Sequence, residues 1–256
     1  MRTLKLTIAY DGTRYAGWQV QRVRRQQAAG RRQKGKPTIQ GTLEGVLAQI
    51  LQEPVEVVGS GRTDAGVHAI AQVAHVKTRN PLPRERLLRS LNQLLPQDVA
   101  VMRVEEADES FHARFQARHK CYRYRIFTGP VVPPFIRPYV HHVRAPLAIA
   151  LMRREAALLH GRHNFRAFAR VGSGRSSFVR TMTRIQVVRR GHELQIEVVG
   201  TGFLHTMVRS IAGTLLDIGR GRLPPGTICR MLRTGRRDLA GTTAPPRGLS
   251  LVDVTY

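Results

Sequence analysis

Acidic side chains are scarce in this chain of 256 residues: 17 Asp and Glu stand against 42 Lys and Arg, for a formal charge of +25 at pH 7. That excess is far more than solubility requires and points to a polyanionic partner. Lysine is scarcer still. Only positions 5, 34, 36, 77 and 120 carry it, so the cations are overwhelmingly Arg, whose planar donor fork suits phosphates and stacks on bases. Cysteine is limited to Cys121 and Cys229, far apart and in no CxxC pair, which excludes a disulfide framework and a cysteine-based zinc site. Long apolar runs are missing as well. The best, Ala145 to Met152, ends at Arg153 and falls well short of the ~20 residues a membrane helix needs. The N-terminus alternates polar and apolar residues with no continuous signal-peptide core, so the expectation is a soluble, cytoplasmic protein with no membrane association.

What is present describes a globular chain. Hydrophobic residues make up 42%, and the 23 Gly and 14 Pro are spread along the sequence, which excludes low-complexity classes and leaves enough apolar mass for one large or two smaller cores. The cations are clustered. No acid occurs between Asp11 and Glu44 while Arg22, Arg24, Arg25, Arg31, Arg32, Lys34 and Lys36 do, and the stretch between Glu155 and Glu193 is acid-free with eight Arg inside. A lone charge run is usually a solvated face, but two such blocks at this net charge favour a polyanion site.

Hydrophobic period places the elements. Leu4, Leu6, Ile8 and Tyr10 alternate as a half-buried strand, and Ile39, Leu43, Val46, Leu47, Ile50 and Leu51 form one helical face after Pro37 and Thr38. A short strand over 55–58, a glycine-rich loop and a strand over about 67–76 follow. Leu87, Leu88, Leu91, Leu94 and Leu95 mark a second helix, and Val99, Val101 and Val104 a further strand. The order is βαββαβ. It recurs with a strand over 122–127, a helix through Leu147, Leu151 and Leu158, strands over 182–188 and 194–199, a helix stripe from Leu204 to Ile218, a small helix near 228–232 and a closing strand over 249–256. Two such units predict an α+β chain of two ferredoxin-like halves, 1–110 and 111–256, whose antiparallel sheets could join edge to edge, with the boundary near 108–118.

The loop Gly59-Ser60-Gly61-Arg62-Thr63-Asp64-Ala65-Gly66 carries the most chemistry. Its glycines allow sharp turns and close approach, but neither GxxxxGK[ST] nor GxGxxG is present, so nucleoside triphosphate binding is discounted. Asp64 either bonds its own backbone in a hairpin turn or, beside Arg62, is held anionic as a nucleophile or base. The ten His form no HExxH and no HxE with PCxxC, and no GxSxG elbow occurs, so neither a catalytic metal nor a serine triad is expected.

Four stretches carry a resemblance: Tyr10-Asp11-Gly12-Thr13-Arg14-Tyr15-Ala16-Gly17-Trp18-Gln19; Gly61-Arg62-Thr63-Asp64-Ala65-Gly66-Val67-His68-Ala69; Phe111-His112-Ala113-Arg114-Phe115 with Tyr122-Arg123-Tyr124; and Phe203-Leu204-His205-Thr206-Met207-Val208-Arg209. In this order they resemble the tRNA pseudouridine synthase A family over nearly the whole chain. The resemblance implies two ferredoxin-like halves in one continuous antiparallel sheet with a basic cleft, and isomerisation of uridines 38, 39 and 40 of the tRNA anticodon stem-loop. It implies that Asp64 is the catalytic aspartate, Arg62 the arginine that displaces and replaces the target base, Tyr122 the tyrosine packed on uracil and Arg209 the aspartate's partner. Phe111, His112 and Arg114 would bind substrate, as would Ser173 and Arg175 in a glycine- and serine-rich basic loop at the place of a tRNA-contacting loop. Substrate and product are isomers, so no cofactor or metal is implied; the partners implied are tRNA and a second copy of the chain. The sequence departs from the family's pattern between Gln21 and Thr38, where an Arg/Gln/Gly-rich segment is longer than usual and is either an added tRNA contact or a disordered basic loop with no specific role.

Two other classes fit parts of the sequence: a non-catalytic basic RNA-binding protein, and an N-glycosidase that breaks the same bond and lets water capture the sugar. An RRM version of the first is disfavoured because the strand over 67–76 has no aromatic residue. The charge reading predicts that the logarithm of tRNA affinity falls linearly with the logarithm of salt concentration, by roughly 0.7 to 0.9 per phosphate contacted. Filter binding over a salt series checks it, and a flat response contradicts the polyanion reading.

Overall fold

A computed structural model describes residues 1–20, 36–170 and 177–256, in two compact units, Met1–Gln116 and Ala117–Tyr256. The basic segment up to Gly35 lies outside the described residues, as do Ser173 and Arg175. In the first unit the alternating N-terminus forms β1 (Arg2–Tyr10), followed by α1 (Ile39–Leu51), β2 (Val58–Gly59), β3 (His68–Thr78), α2 (Arg84–Leu94) and β4 (Val99–Ala107). The strands pair antiparallel in the order β4-β1-β3 with β2 on β3, the arrangement of a ferredoxin-like half. Leu6 sits opposite Ala74 on one side and Val104 on the other, so the period-two pattern puts Leu4, Leu6 and Ile8 wholly out of solvent. Ile39, Leu43 and Leu47 of α1 and Leu87 and Leu91 of α2 are equally buried, each worth roughly 1.5 to 3 kcal/mol against exposure. Thr38 starts α1 by accepting the Gly41 N–H at 3.2 Å, and Gln52 ends it in the left-handed region at φ 55°.

The short strand differs from its pattern. Residues 55–57 stay outside the ladder and β2 keeps only two residues, because the Val57 N–H donates to Glu44 Oε1 at 3.0 Å while the Val57 side chain is buried. Residues 111–116, assigned by pattern to the second half, group with the first unit. There the Ala113 N–H donates to His75 Nδ1 at 3.2 Å and the His75 ring lies edge-on to Phe111.

The second unit comprises β5 (His119–Phe127), β6 (His141–His142), α3 (Ile149–Ala157), β7 (Gly161–Asn164), β8 (Val179–Arg190), β9 (Glu193–Gly200), α4 (Met207–Gly219), α5 (Thr227–Thr234) and β10 (Leu249–Thr255). Its antiparallel order is β10-β5-β9-β8-β7, again a ferredoxin-like half with β7 added at one edge and the two-residue β6 beside β5. Neither β6 nor β7 shows an apolar pattern, since both are held by backbone pairing with little burial of side chains. The stripe from Leu204 begins its helix later than its period suggests: Thr206 takes φ 62° and α4 opens at Met207. Every residue of α4 except Arg209 is buried, which marks it as the central helix of this unit. Among the described residues no helix is long and apolar enough to cross a membrane, and no group of three His, Cys, Asp or Glu could hold a metal ion.

Gly213 lets α4 lie against the segment following α5. A Cβ there would stand 1.7 Å from the Thr242 carbonyl oxygen. Gly213→Ala is therefore expected to destabilise the protein by about 3 kcal/mol, at the upper end for overpacking, because backbone must move. Urea unfolding reads this as a lower midpoint, and an unchanged midpoint would show that the segment yields freely.

Candidate active site

The loop between β2 and β3 is fixed from below by the segment that follows β1. Tyr10, buried at the end of β1, exchanges a hydrogen bond of 2.9 Å with the Thr63 hydroxyl, and burial holds its phenol far above the usual range, so it stays protonated. The Trp18 N–H donates to the Thr63 carbonyl at 3.1 Å, and the indole packs so closely under Gly59 that a Cβ there would lie 2.6 Å from the ring. Gly17 holds φ 97° with a virtual Cβ 2.6 Å from the Thr63 oxygen, while Gly12 gives only 2.0 Å to the Val67 oxygen. These two positions accept no side chain. On the other side Ser60 donates to Gln72 Oε1 at 2.7 Å, and Gln72 Nε2 donates to the Gly61 carbonyl at 3.0 Å. The clamping segment is tied down in turn: Tyr15 donates to Asp98 at 2.6 Å and Arg14 pairs with the same carboxylate.

With Thr63 buried, its neighbours on either side turn outward. Arg62 is exposed and Asp64 half-buried, so the loop delivers a cation and an anion two residues apart toward solvent. Arg62 is aimed by a relay of amides. Its Nε donates to Gln19 Oε1 at 3.0 Å, Gln19 Nε2 donates to Gln40 Oε1 at 2.6 Å, and Gln40 Nε2 donates to Glu44 Oε1 at 2.9 Å. The terminal nitrogens of Arg62 have no partner among the described residues, leaving the planar face and two amino groups for a ligand. The Asp64 carbonyl accepts the Val67 N–H at 3.1 Å with Gly66 at φ 76°, a backbone bond that closes the turn.

Phe111, His112 and Arg114 also belong to the first unit. His112 lies 4.9 Å from the His75 ring and 4.2 Å from that of Phe115, with the Arg114 guanidinium 5.7 Å from Phe115. Phe115 itself is 76% exposed. An exposed ring backed by an imidazole and flanked by a guanidinium is a stacking surface that sequence reasoning passed over; its exposure became visible only in the fold.

In the second unit β5 alternates Tyr122, Tyr124 and Ile126 inward against Arg123 and Arg125 on the opposite face, where they pair with Glu197 and Glu193. Tyr122 is 7% exposed and lies edge-on to Phe203, ring centroids 4.8 Å apart, a contact that joins two separate motifs. Arg209, in the first turn of α4, donates from Nε to the Ala244 carbonyl at 2.9 Å, and its own carbonyl accepts the Ala244 N–H at 3.1 Å. The 244–245 strip is further held by Tyr124, whose hydroxyl donates to the Pro245 carbonyl at 2.9 Å.

The anchoring of Thr63 gives a direct expectation. Tyr10→Phe leaves the buried Thr63 hydroxyl without that partner and costs about 1 to 2 kcal/mol. The urea midpoint falls at unchanged slope, and hydrogen exchange of the amides of residues 61–67 rises more than that of β1. Uniform exchange changes across the first unit would show that Tyr10 supports the sheet and not the loop.

Comparison with known proteins places this geometry. The family model for tRNA pseudouridine synthase matches residues 6–116 and 156–256. The protein called tRNA pseudouridine synthase A in Moorella thermoacetica is 43% identical over 256 residues, covering all of both chains. Its counterpart in Exiguobacterium sp. is 41% identical over all of this chain and 98% of its own, and that in Pelobacter propionicus 42% identical over all of both. The anchored loop with its outward Arg62 and Asp64 falls inside the matched region, and the chain belongs to the tRNA pseudouridine synthase family.

Proposed function

We propose that this enzyme, a tRNA-modifying isomerase by family, converts uridines 38, 39 and 40 of the anticodon stem-loop to pseudouridine, with Asp64 as the catalytic aspartate. The observation that carries the reading is the built loop: a buried Thr63, held from three sides, with the exposed Arg62 and the half-buried Asp64 on either side of it.

The target base must leave its stack before its glycosidic bond can be reached, at a cost of a few kcal/mol. Arg62 offsets part of that by filling the vacancy with its planar guanidinium. Asp64 either attacks the sugar or removes a sugar proton as the C1′–N1 bond breaks. The freed uracil turns against the Tyr122 wall until C5 faces C1′; the new C1′–C5 bond forms as the bond from Asp64 to the sugar breaks or, on the other route, as Asp64 returns the sugar proton, and C5 loses its proton while N1 gains one, so every atom is conserved. Arg209 balances the Asp64 charge. Phe111, His112, Arg114, Ser173 and Arg175 hold the surrounding RNA, and two copies of the chain act together in the cytoplasm.

Nucleoside analysis of treated tRNA separates this reading from its rivals: pseudouridine supports it, an abasic site means a glycosidase, and unchanged uridine means a binding protein. Asp64→Asn keeps size but removes the charge and nearly all nucleophilicity, so single-turnover conversion is expected to fall at least about a thousandfold while RNA binding stays level or tightens. Conversion by Asp64→Asn at the parent rate, with deamidation excluded by mass spectrometry, would remove the mechanism. EDTA with a pre-folded stem-loop should leave turnover intact.

A further inference from the structure

A second cationic feature lies wholly within the second unit, in a cavity of about 400 Å³. Arg137, Arg144, Arg247 and His142 line it together with Val131 and Val140, and no acidic residue does. Several other arginines of this unit do have carboxylate partners: Arg123 and Arg184 share Glu197, Arg125 pairs with Glu193, and Arg220 approaches Asp217. Among the described residues no carboxylate pairs with Arg137, Arg144 or Arg247. Three like charges around one concavity repel each other, and only an anion between them reverses the sign of that interaction.

The walls are held in place. β6 pairs with β5, setting His142 opposite Phe127, and a hydrogen bond of 2.8 Å joins His142 Nε2 to the Gly129 carbonyl. The Val143 N–H donates to the Phe127 carbonyl at 2.9 Å, and Arg137 Nη2 donates to the Val132 carbonyl at 3.3 Å. The positive field is felt next door. Burial, and then the charges of Arg247, Arg220 and His142, push His141 down to about 4, so it stays neutral at physiological pH. The Tyr124 hydroxyl donates to the Pro245 carbonyl, Arg209 Nε donates to the Ala244 carbonyl and Gly248 packs on the Tyr124 ring, so the strip that carries Arg247 lies on the face of β5 that holds Tyr124 and, two residues along the strand, Tyr122.

We propose that this cavity is a backbone subsite for the RNA substrate, in which Arg137, Arg144 and Arg247 grip one phosphodiester outside the target nucleotide and Val131 and Val140 receive its ribose. The inference rests on the reading that the substrate is RNA. All three arginines remain exposed, which suits a strand that passes through and continues, whereas a free anion held tightly would be enclosed. The volume is at the small end of ligand pockets and fits one nucleotide unit.

The test measures binding of an anticodon stem-loop RNA over a salt series, separately from pseudouridine formation. The double variant Arg137→Ala with Arg144→Ala should weaken binding several-fold and lower the log–log salt slope by roughly 0.7 to 0.9, the contribution of one phosphate. Arg144→Lys should keep the slope, and the turnover defect should reside in KM more than in kcat. Thermal unfolding midpoints equal to the parent's establish that the variants fold. An unchanged affinity and slope, with the parent enzyme still forming pseudouridine, overturns the subsite and leaves the function standing. Saturable binding of inorganic phosphate with an unchanged RNA slope also overturns it, since the cavity then serves a free anion. A slope lowered in the double variant, with a parent protein that forms no pseudouridine, upholds the subsite and removes the proposed function.

Discussion

The hydrogen bonds that converge on Thr63 are the constraint on which the first unit's chemistry depends. Its hydroxyl meets Tyr10 at the end of β1, its carbonyl meets the Trp18 amide, and Gly17 comes within side-chain distance of it. A loop pinned at its centre has nowhere to fold inward, so Arg62 and Asp64 on either side of the pin must face out. The pin costs the sequence freedom: Gly12, Gly17 and Gly59 each lie where a Cβ would strike backbone or indole. A loop pinned in this way holds both side chains in position before any ligand arrives.

The second unit solves the same problem with a helix. α4 is buried all round, so its axis is set by packing on several sides, and Arg209 is its one residue with partial access to solvent. The guanidinium is fixed at Nε by the Ala244 carbonyl. Arg237 supports the same helix from behind. It bonds the Ser210 hydroxyl, donates to the Ala167 carbonyl at 3.2 Å and to Thr243 at 2.8 Å, and burial pushes its pKa down because all of these partners are neutral. A half-buried cation satisfied only by neutral acceptors is costly, and these three bonds tie α4 to the segments on either side of it.

Charge is apportioned with the same economy. Two acids of the second unit, Glu193 and Glu197, pair with arginines of the sheet face opposite Tyr122 and Tyr124 and bridge β5, β8 and β9. Those pairs are partly exposed and contribute little stability each. Their larger effect is on where positive charge remains, since arginines without a carboxylate partner define the surface that a polyanion would meet.

Both βαββαβ orders were legible in the sequence, because burial on one face writes period two into strands such as Leu4–Tyr10 and period 3.6 into helices such as Ile39–Leu51. The loop from Gly59 to Gly66 was recognisable by its glycines, and the four motifs by their order. What eluded the pattern had no side-chain signature: β6 and β7 are held by backbone pairing, β2 is cut short by a carboxylate on a helix earlier in the chain, and Phe115 looks like a core residue until its exposure is known. Most of all, the stretch Tyr10–Gln19 read as a motif without a task. Its role is to clamp a loop some fifty positions away, as Tyr10 and Thr63 show. Local sequence determines which residues can turn, alternate or coil, since those preferences act over a few bonds. Which distant residue fills the space beneath Gly59 is decided by close packing of the whole unit, and only the tertiary structure selects Trp18 for it.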